Sequence, residues 1–357
     1  IGLHLHSTLA FTESGVPLGL LKAICWAREE ETWDTSKRRK QKLLEEKESY
    51  RWLMSYQAVA EVQKRCPKTQ ILVAGDRESD IYELFVAARD EVGGPGLLIR
   101  AERTRERKVD HGYLWDVMAN APVAGEQELR VPRRSNRPER VARLAIRFAS
   151  VDLVPPKGKN KLGRVKVQAV YASETEGPVG TEAIEWMILT TVAVGDFAEA
   201  LRVLRWYTQR WGIEVWHRTL KSGCRIEDRQ LHAAEGLEAC LAIDMVVAWR
   251  IHHLTKLGRE TPDSPCTVFF QECEWKALVG WVQKKPIPPP KPPTLHEAIL
   301  MVAVLGGFLA RKSDGEPGTE CLWRGLERLA DITGVWSYLS QYIDPSRVPV
   351  SSDGGCG

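Results

Sequence analysis

Tyr207, Arg210, Glu214 and Lys221 place a phenol, a guanidinium, a carboxylate and an ammonium within fifteen residues, at spacings of three, four and seven. On an unbroken α-helix advancing about 100° per residue from Tyr207, Arg210 falls at about −60°, Glu214 at about −20° and Lys221 at about −40°. The four side chains then share one narrow stripe. A carboxylate flanked by three phosphate-seeking groups suits a metal-dependent enzyme acting on phosphodiesters. The same spacing also suits a solvated helix face with i,i+4 and i,i+7 charge pairs, and the pattern alone leaves both readings open. A second carboxylate, Asp76, follows the buried-strand pattern Ile71-Leu72-Val73-Ala74-Gly75 and opens the run Asp76-Arg77-Glu78-Ser79-Asp80. Mg²⁺ takes oxygen ligands and keeps waters for its substrate, so carboxylates at a strand end and on a flanking helix can converge on it. Asp76 reads equally well as the N-cap of the next helix.

These residues need elements to carry them. Leu3, Leu5 and Leu9, then Thr12-Glu13-Ser14-Gly15, then Val16, Leu18, Leu20 and Leu21 predict two strands joined by a turn. Segment 34–47 is charge-dense, and Ser49 to Gln63 has helical apolar spacing. Strand 71–75 leads into a helix from Ile81 to Ala88 and a strand around Leu97–Arg100. Residues 103–186 then show short alternating runs separated by Gly and Pro, the pattern of a small β-rich insertion. Asp196 with Glu199 predicts a capped helix start, running to about Lys221 with Gly223 as its stop. An apolar helix from about Leu237 to Leu257 follows. Pro286 to Pro293 is a proline-rich linker to helical segments around 295–299 and 322–326. Residues 351–357 read as frayed.

Charge is unevenly spread. Between Arg103 and Lys166 sixteen cations face seven carboxylates, an excess of nine, while the whole chain carries only +3. Such concentration predicts a polyanion-binding face. Charged residues at 27% and hydrophobic residues at 43% are ordinary for a folded protein. No apolar run approaches the roughly 20 residues needed to span a bilayer, so no membrane partner is expected. The eight cysteines include no C-x-x-C pair, which argues for reduced thiols rather than a disulfide framework or zinc site. A chain opening on Ile1 inside a strand pattern reads as N-terminally truncated.

Taken together, Asp76-Arg77-Glu78-Ser79-Asp80-Ile81 and the Tyr207/Arg210/Glu214/Lys221 series resemble the DDE transposases of bacterial insertion sequences. The branch is that of the transposon-five transposase, with signature Y-x2-R-x3-E-x6-K. The likeness runs from Gly2-Leu3-His4-Leu5-His6-Ser7 through Pro17-Leu18-Gly19 to Gly306-Gly307-Phe308-Leu309 and Asp314-Gly315-Glu316-Pro317-Gly318. It implies an α/β fold: a ribonuclease-H-like mixed-sheet core (1–102 and 187–258), a basic β-rich insertion (103–186) and a linker with a helical dimerisation region (259–357).

The resemblance further implies that Asp76 and Glu214 are catalytic and bind Mg²⁺, with Mn²⁺ able to substitute. Tyr207, Arg210 and Lys221 would grip phosphates of double-stranded DNA. Trp186 would stack on a flipped base, although the local run Trp186-Met187-Ile188-Leu189 also suits a core aromatic. The implied activity is cut-and-paste transposition by a homodimer in a synaptic complex, in a bacterial cytoplasm at the nucleoid. No Asp precedes Asp34, so the first carboxylate of the triad is expected to be missing and this chain to cut DNA little or not at all. A non-catalytic remnant that binds DNA or dimerises with full-length transposase, and inhibits it, is the alternative; a stand-alone nuclease is a weaker third.

Overall fold

The computed structural model describes residues 3–27, 47–131, 133, 138–177, 183–231, 233–285, 287–311 and 315–339. The charge-dense segment from Asp34 through Glu46 lies outside them, as do Gly2, Pro286, Asp314 and residues 351–357. The chain groups into two compact units, Ile1–Leu9 with Leu21–Arg210, and Ala10–Leu20 with Trp211–Gly357. Each is described separately.

Period-2 patterning forms β1 (Leu3–Phe11), which pairs with β2 (Pro17–Ala27). The connection closes through Thr12 N–H to the Val16 carbonyl at 2.9 Å. Helix α1 (Tyr50–Arg65) precedes β3 (Leu72–Gly75), α2 (Tyr82–Asp90) and β4 (Gly96–Arg100). Next come β5 (Lys108–Val109), β6 (Gly112–Tyr113), α3 (Leu114–Ala119), β7 (Gly125–Val131), β8 (Arg140–Leu153), β9 (Val165–Glu174) and β10 (Glu185–Thr190). Helix α4 (Phe197–Thr208) completes the first unit.

Strands β3 to β10 make one eight-stranded sheet, ordered β3-β4-β10-β9-β8-β5-β6, with β7 also paired to β8. Only β3 and β4 are parallel; the other pairs are antiparallel. The strands between 103 and 190 thus continue the sheet begun by β3 and β4. Alternation along each strand divides their side chains between two faces. Leu97, Ile99, Ala169, Tyr171, Met187 and Leu189 pack with α1, α2 and α3. Leu98, Val170, Ala172 and Ile188 pack with Ala200, Val203, Leu204 and Tyr207 of α4.

The second unit contains α5 (Trp211–Arg218), a π-helical turn (Thr219–Gly223), α6 (Ala234–Glu260), α7 (Glu272–Gln283), α8 (Leu295–Leu305) and α9 (Thr319–Leu339). Its core joins Ile251, Leu254, Trp275, Leu278, Val302, Leu322 and Leu329. Capping boxes at Gln271/Glu274 and Thr294/Glu297 fix the starts of α7 and α8. Among the described residues no helix is long and apolar enough to cross a membrane.

One helical expectation is corrected. The helix predicted from Asp196 to Lys221 starts as expected, with Asp196 accepting the Glu199 N–H at 2.8 Å, but it stops after Thr208. The Gln209 and Arg210 N–H groups then bond three residues back, to Trp206 and Tyr207, at 3.1 Å each. Gly212, a poor helix former, sits under Phe11 of the same unit, whose ring a Cβ there would approach to 2.6 Å. Past Arg218 the chain widens into the π turn. A uniform 100° per residue applies at neither place, so the four signature residues do not form one helical stripe.

Candidate nucleic-acid interface

Asp76 leaves the end of β3 and caps a 3₁₀ turn, Arg77–Ser79, its Oδ1 accepting the Glu78 N–H at 2.9 Å. Ser79 folds back so that its Oγ donates to the Asp76 carbonyl at 2.6 Å. Gly75 permits this return, because a Cβ at that position would overlap the Ser79 side chain. The capping role therefore exists and occupies one carboxylate oxygen. Asp80, four residues on, is fully buried; it pairs with Arg107 and accepts the Glu102 N–H at 2.9 Å. That half of the motif holds the chain together.

Sheet register supplies Asp76 with neighbours. Gly75 pairs with Ile99 across the parallel β3–β4 contact, so Asp76 and Arg100 are the next residues at the same end of the two strands. Arg100 is in turn opposite Ile188 of β10, and Trp186 lies two residues further along the same face. The Arg100 Nη2 donates to the Glu185 carbonyl at 3.2 Å. Burial lowers the Arg100 pKa, and the nearby Arg77 and Arg210 lower it further. Tyr207, 5% exposed, covers this strand end from α4. Burial raises its hydroxyl pKa and Asp76 adds to the rise, while Arg210 and Arg100 oppose it. The Arg210 guanidinium lies 6.0 Å from the Tyr207 ring centroid. It is close enough to act on the buried hydroxyl. Trp186 is half-buried and meets Tyr207 edge-on, with centroids 6.3 Å apart.

Arg100 is thus close to Arg77 and Arg210, and Arg100, Arg210 and Asp76 all act on the buried Tyr207 phenol. Like charges held together raise each other's energy, and a phosphodiester placed among them relieves that repulsion. Arg77 and Arg100 were not assigned from sequence. Arg77 was visible inside the Asp76 run, but Arg100 joins the group only through strand register.

Glu214 and Lys221 belong to the second unit. Glu214 lies half-buried in the first turn of α5. One turn on, burial lowers the His217 pKa and Lys221 adds to the fall, opposed by Glu214. Lys221 is in the π turn, paired with Glu227 at 2.8 Å. Between them Trp216 is fully buried and donates to the Met245 carbonyl at 3.3 Å. Among the described residues no three His, Cys, Asp or Glu side chains cluster as a metal site. Asp76 nevertheless fits a ligand role in part, since its second carboxylate oxygen has no hydrogen-bond partner among the described residues.

Residues 246–345 match the family described as Transposase Tn5 dimerisation domain. The match covers α6 from Val246 onward, then α7, α8 and α9. It supports a Tn5-like transposase and formation of a homodimer.

Proposed function

We propose that this chain is a cut-and-paste DNA transposase, with its sheet belonging to a ribonuclease-H-like core and residues 103–186 to an insertion within it. The observation that carries the reading is the Asp76, Arg77, Arg100, Tyr207 and Arg210 cluster in a chain matching a transposase dimerisation domain. Arg77, Arg100 and Arg210 would neutralise charge gathering on the equatorial oxygens of the reacting phosphate, and Tyr207 would donate its hydroxyl proton to one of them. Trp186 would offer a face to an extruded base, offsetting an unstacking cost of about a few kcal/mol. Lys221 would contact a further phosphate, exchanging Glu227 for it.

Asp76 and Glu214 would each offer a carboxylate to Mg²⁺, or Mn²⁺ in its place, and the bound ion would supply Lewis-acid polarisation of the phosphate and a more acidic water. Water first breaks the P–O3′ bond at the transposon end, leaving a free 3′-OH. That hydroxyl attacks the opposite strand, forming a hairpin and displacing the flanking 3′-oxygen. Water reopens the hairpin, and the 3′-OH then displaces a 3′-oxygen in target DNA. The setting would be a bacterial nucleoid in the cytoplasm.

The resemblance requires a third carboxylate besides Asp76 and Glu214. The dimerisation match carries a second reading, a chain that binds DNA and inhibits a transposase by pairing with it.

Duplex binding followed by fluorescence anisotropy tests the common ground. Arg100→Gln and Arg210→Gln should each weaken affinity and lower the magnitude of the log K against log salt slope by about one. Unchanged slopes for both would remove the phosphate cluster and this reading with it.

A further inference from the structure

The β8–β9 connection, Val154–Arg164, leads into Lys166 and carries Lys157, Lys159, Lys161 and Arg164 without an acidic residue. It is built against α2. Tyr82 donates its hydroxyl to the Leu153 carbonyl at 3.0 Å and lies within hydrogen-bond reach of the Gly163 carbonyl at 2.6 Å. Arg89 Nη1 donates to the carbonyls of Leu162 and Arg164 at 2.8 and 3.0 Å. Lys159 pairs with Glu83. These bonds leave Lys157, Lys161, Arg164 and Lys166 exposed. Among the described residues no carboxylate lies within ion-pair distance of any of the four. The nearest acid by register is Asp152, opposite Lys166. On the neighbouring β5, exposed Lys108 extends the surface, its carbonyl accepting the Val154 N–H at 3.0 Å.

This loop lies at the far end of the sheet from Asp76. Arg100 is opposite Ile188, Glu185 is opposite Ser173, and β9 runs from Ser173 back to Val165. Ile188, level with Arg100, is opposite Val170, so at about 3.3 Å per residue Val165 lies about 17 Å along the strand from that level. That is about half of one turn of duplex DNA, which is about 34–36 Å. The loop contains no aromatic residue, so it lacks the stacking platforms by which proteins hold single strands. A fixed array of unpaired cations instead matches the dense phosphate charge of a duplex.

We propose that loop Val154–Lys166 is a second contact for the backbone of duplex DNA, separate from the Asp76 cluster and at the opposite end of the same sheet. The inference rests on the reading of this chain as a DNA-handling protein, and its test separates the two.

The full chain is titrated by anisotropy with a labelled duplex about three helical turns long, over a range of salt. The Lys157→Gln/Lys161→Gln/Arg164→Gln variant should lower the slope magnitude by about three and weaken binding whatever the sequence. Its thermal midpoint should stay at the parent value, because all three side chains are exposed. Arg100→Gln/Arg210→Gln is measured in parallel. An unchanged slope in the loop variant, with a lowered slope in the cluster variant, overturns the second contact and leaves the function reading standing. A lowered slope in the loop variant alone upholds the contact and removes the cluster. Neither slope changing overturns both. A loss confined to a single-stranded oligonucleotide of equal length overturns the assignment to duplex.

Discussion

The strand-end cluster around Asp76 and the helical segment around Glu214 carry the two halves of one sequence signature, yet they are built on opposite electrostatic terms. At the strand ends, sheet register presses Arg100 toward Arg77 and Arg210, so burial and like charge both lower its pKa. In the helical segment, charges are matched: Lys221 with Glu227, Arg225 with Asp228 and Arg229 with Asp244. The first arrangement gains from an arriving anion, whereas the second must give up an ion pair to meet one. Guanidinium groups held near one another at the strand ends make that region the better candidate for phosphate binding.

Three measurements break or sharpen this contrast. The largest effect is expected in the helical unit, where Trp216 is 0% exposed. Trp216→Ala should lower stability by about 3–5 kcal/mol, read as a lowered denaturant midpoint. Trp186→Ala, half-buried at the strand end, should lose roughly half as much while depressing hairpin formation more than first-strand nicking in a complete transposase. Equal stability losses would mean that both tryptophans serve simply as core.

The second effect is a pH dependence located at His252. This residue is 1% exposed, and among the described residues neither ring nitrogen has a hydrogen-bond partner. Burial, followed by Lys256, Arg259 and His253, lowers its pKa from 6.5 to about 4. The unfolded chain therefore binds a proton that the folded chain refuses. Stability is complete above about pH 6.5 and falls as pH drops toward about 4, by roughly 3 kcal/mol. His252→Gln should flatten that slope. A parent profile that is already flat across the window would place the imidazole in contact with water.

The smallest effect separates the two roles of Asp76. Asp76→Ala should cost about 1 kcal/mol through the lost cap, while Asp76→Asn, itself a good cap, should be nearly neutral. Titration calorimetry with Mn²⁺ should show weak binding that falls in both variants. Binding retained by both would reduce Asp76 to a cap.

Local order was readable where neighbours in sequence decide it. The alternation of Leu3, Leu5 and Leu9, the apolar run before Asp76 and the Asp196–Glu199 start all sit where their patterns put them. The break after Thr208 was not readable, because helical spacing continues through Gly212 and only the Phe11 ring explains why no Cβ fits there. Helix α7 also escaped notice, since Gln271 is an unusual cap and its capping box is recognised only from the bonds it makes.

The sequence by itself determined the residue types available for phosphate chemistry, the resemblance they carry and the strong excess of positive charge between Arg103 and Lys166. Tertiary structure alone decided which of those charges meet. Parallel register set Arg100 and Asp76 at the same end of β3 and β4, and antiparallel register sent the Lys157–Lys166 cations to the opposite end of the same sheet. The physical reason is that strand pairing joins residues far apart in sequence. A shift of one residue would turn each side chain to the other face, and nothing local to Arg100 or Lys157 records which partner fixed the pairing.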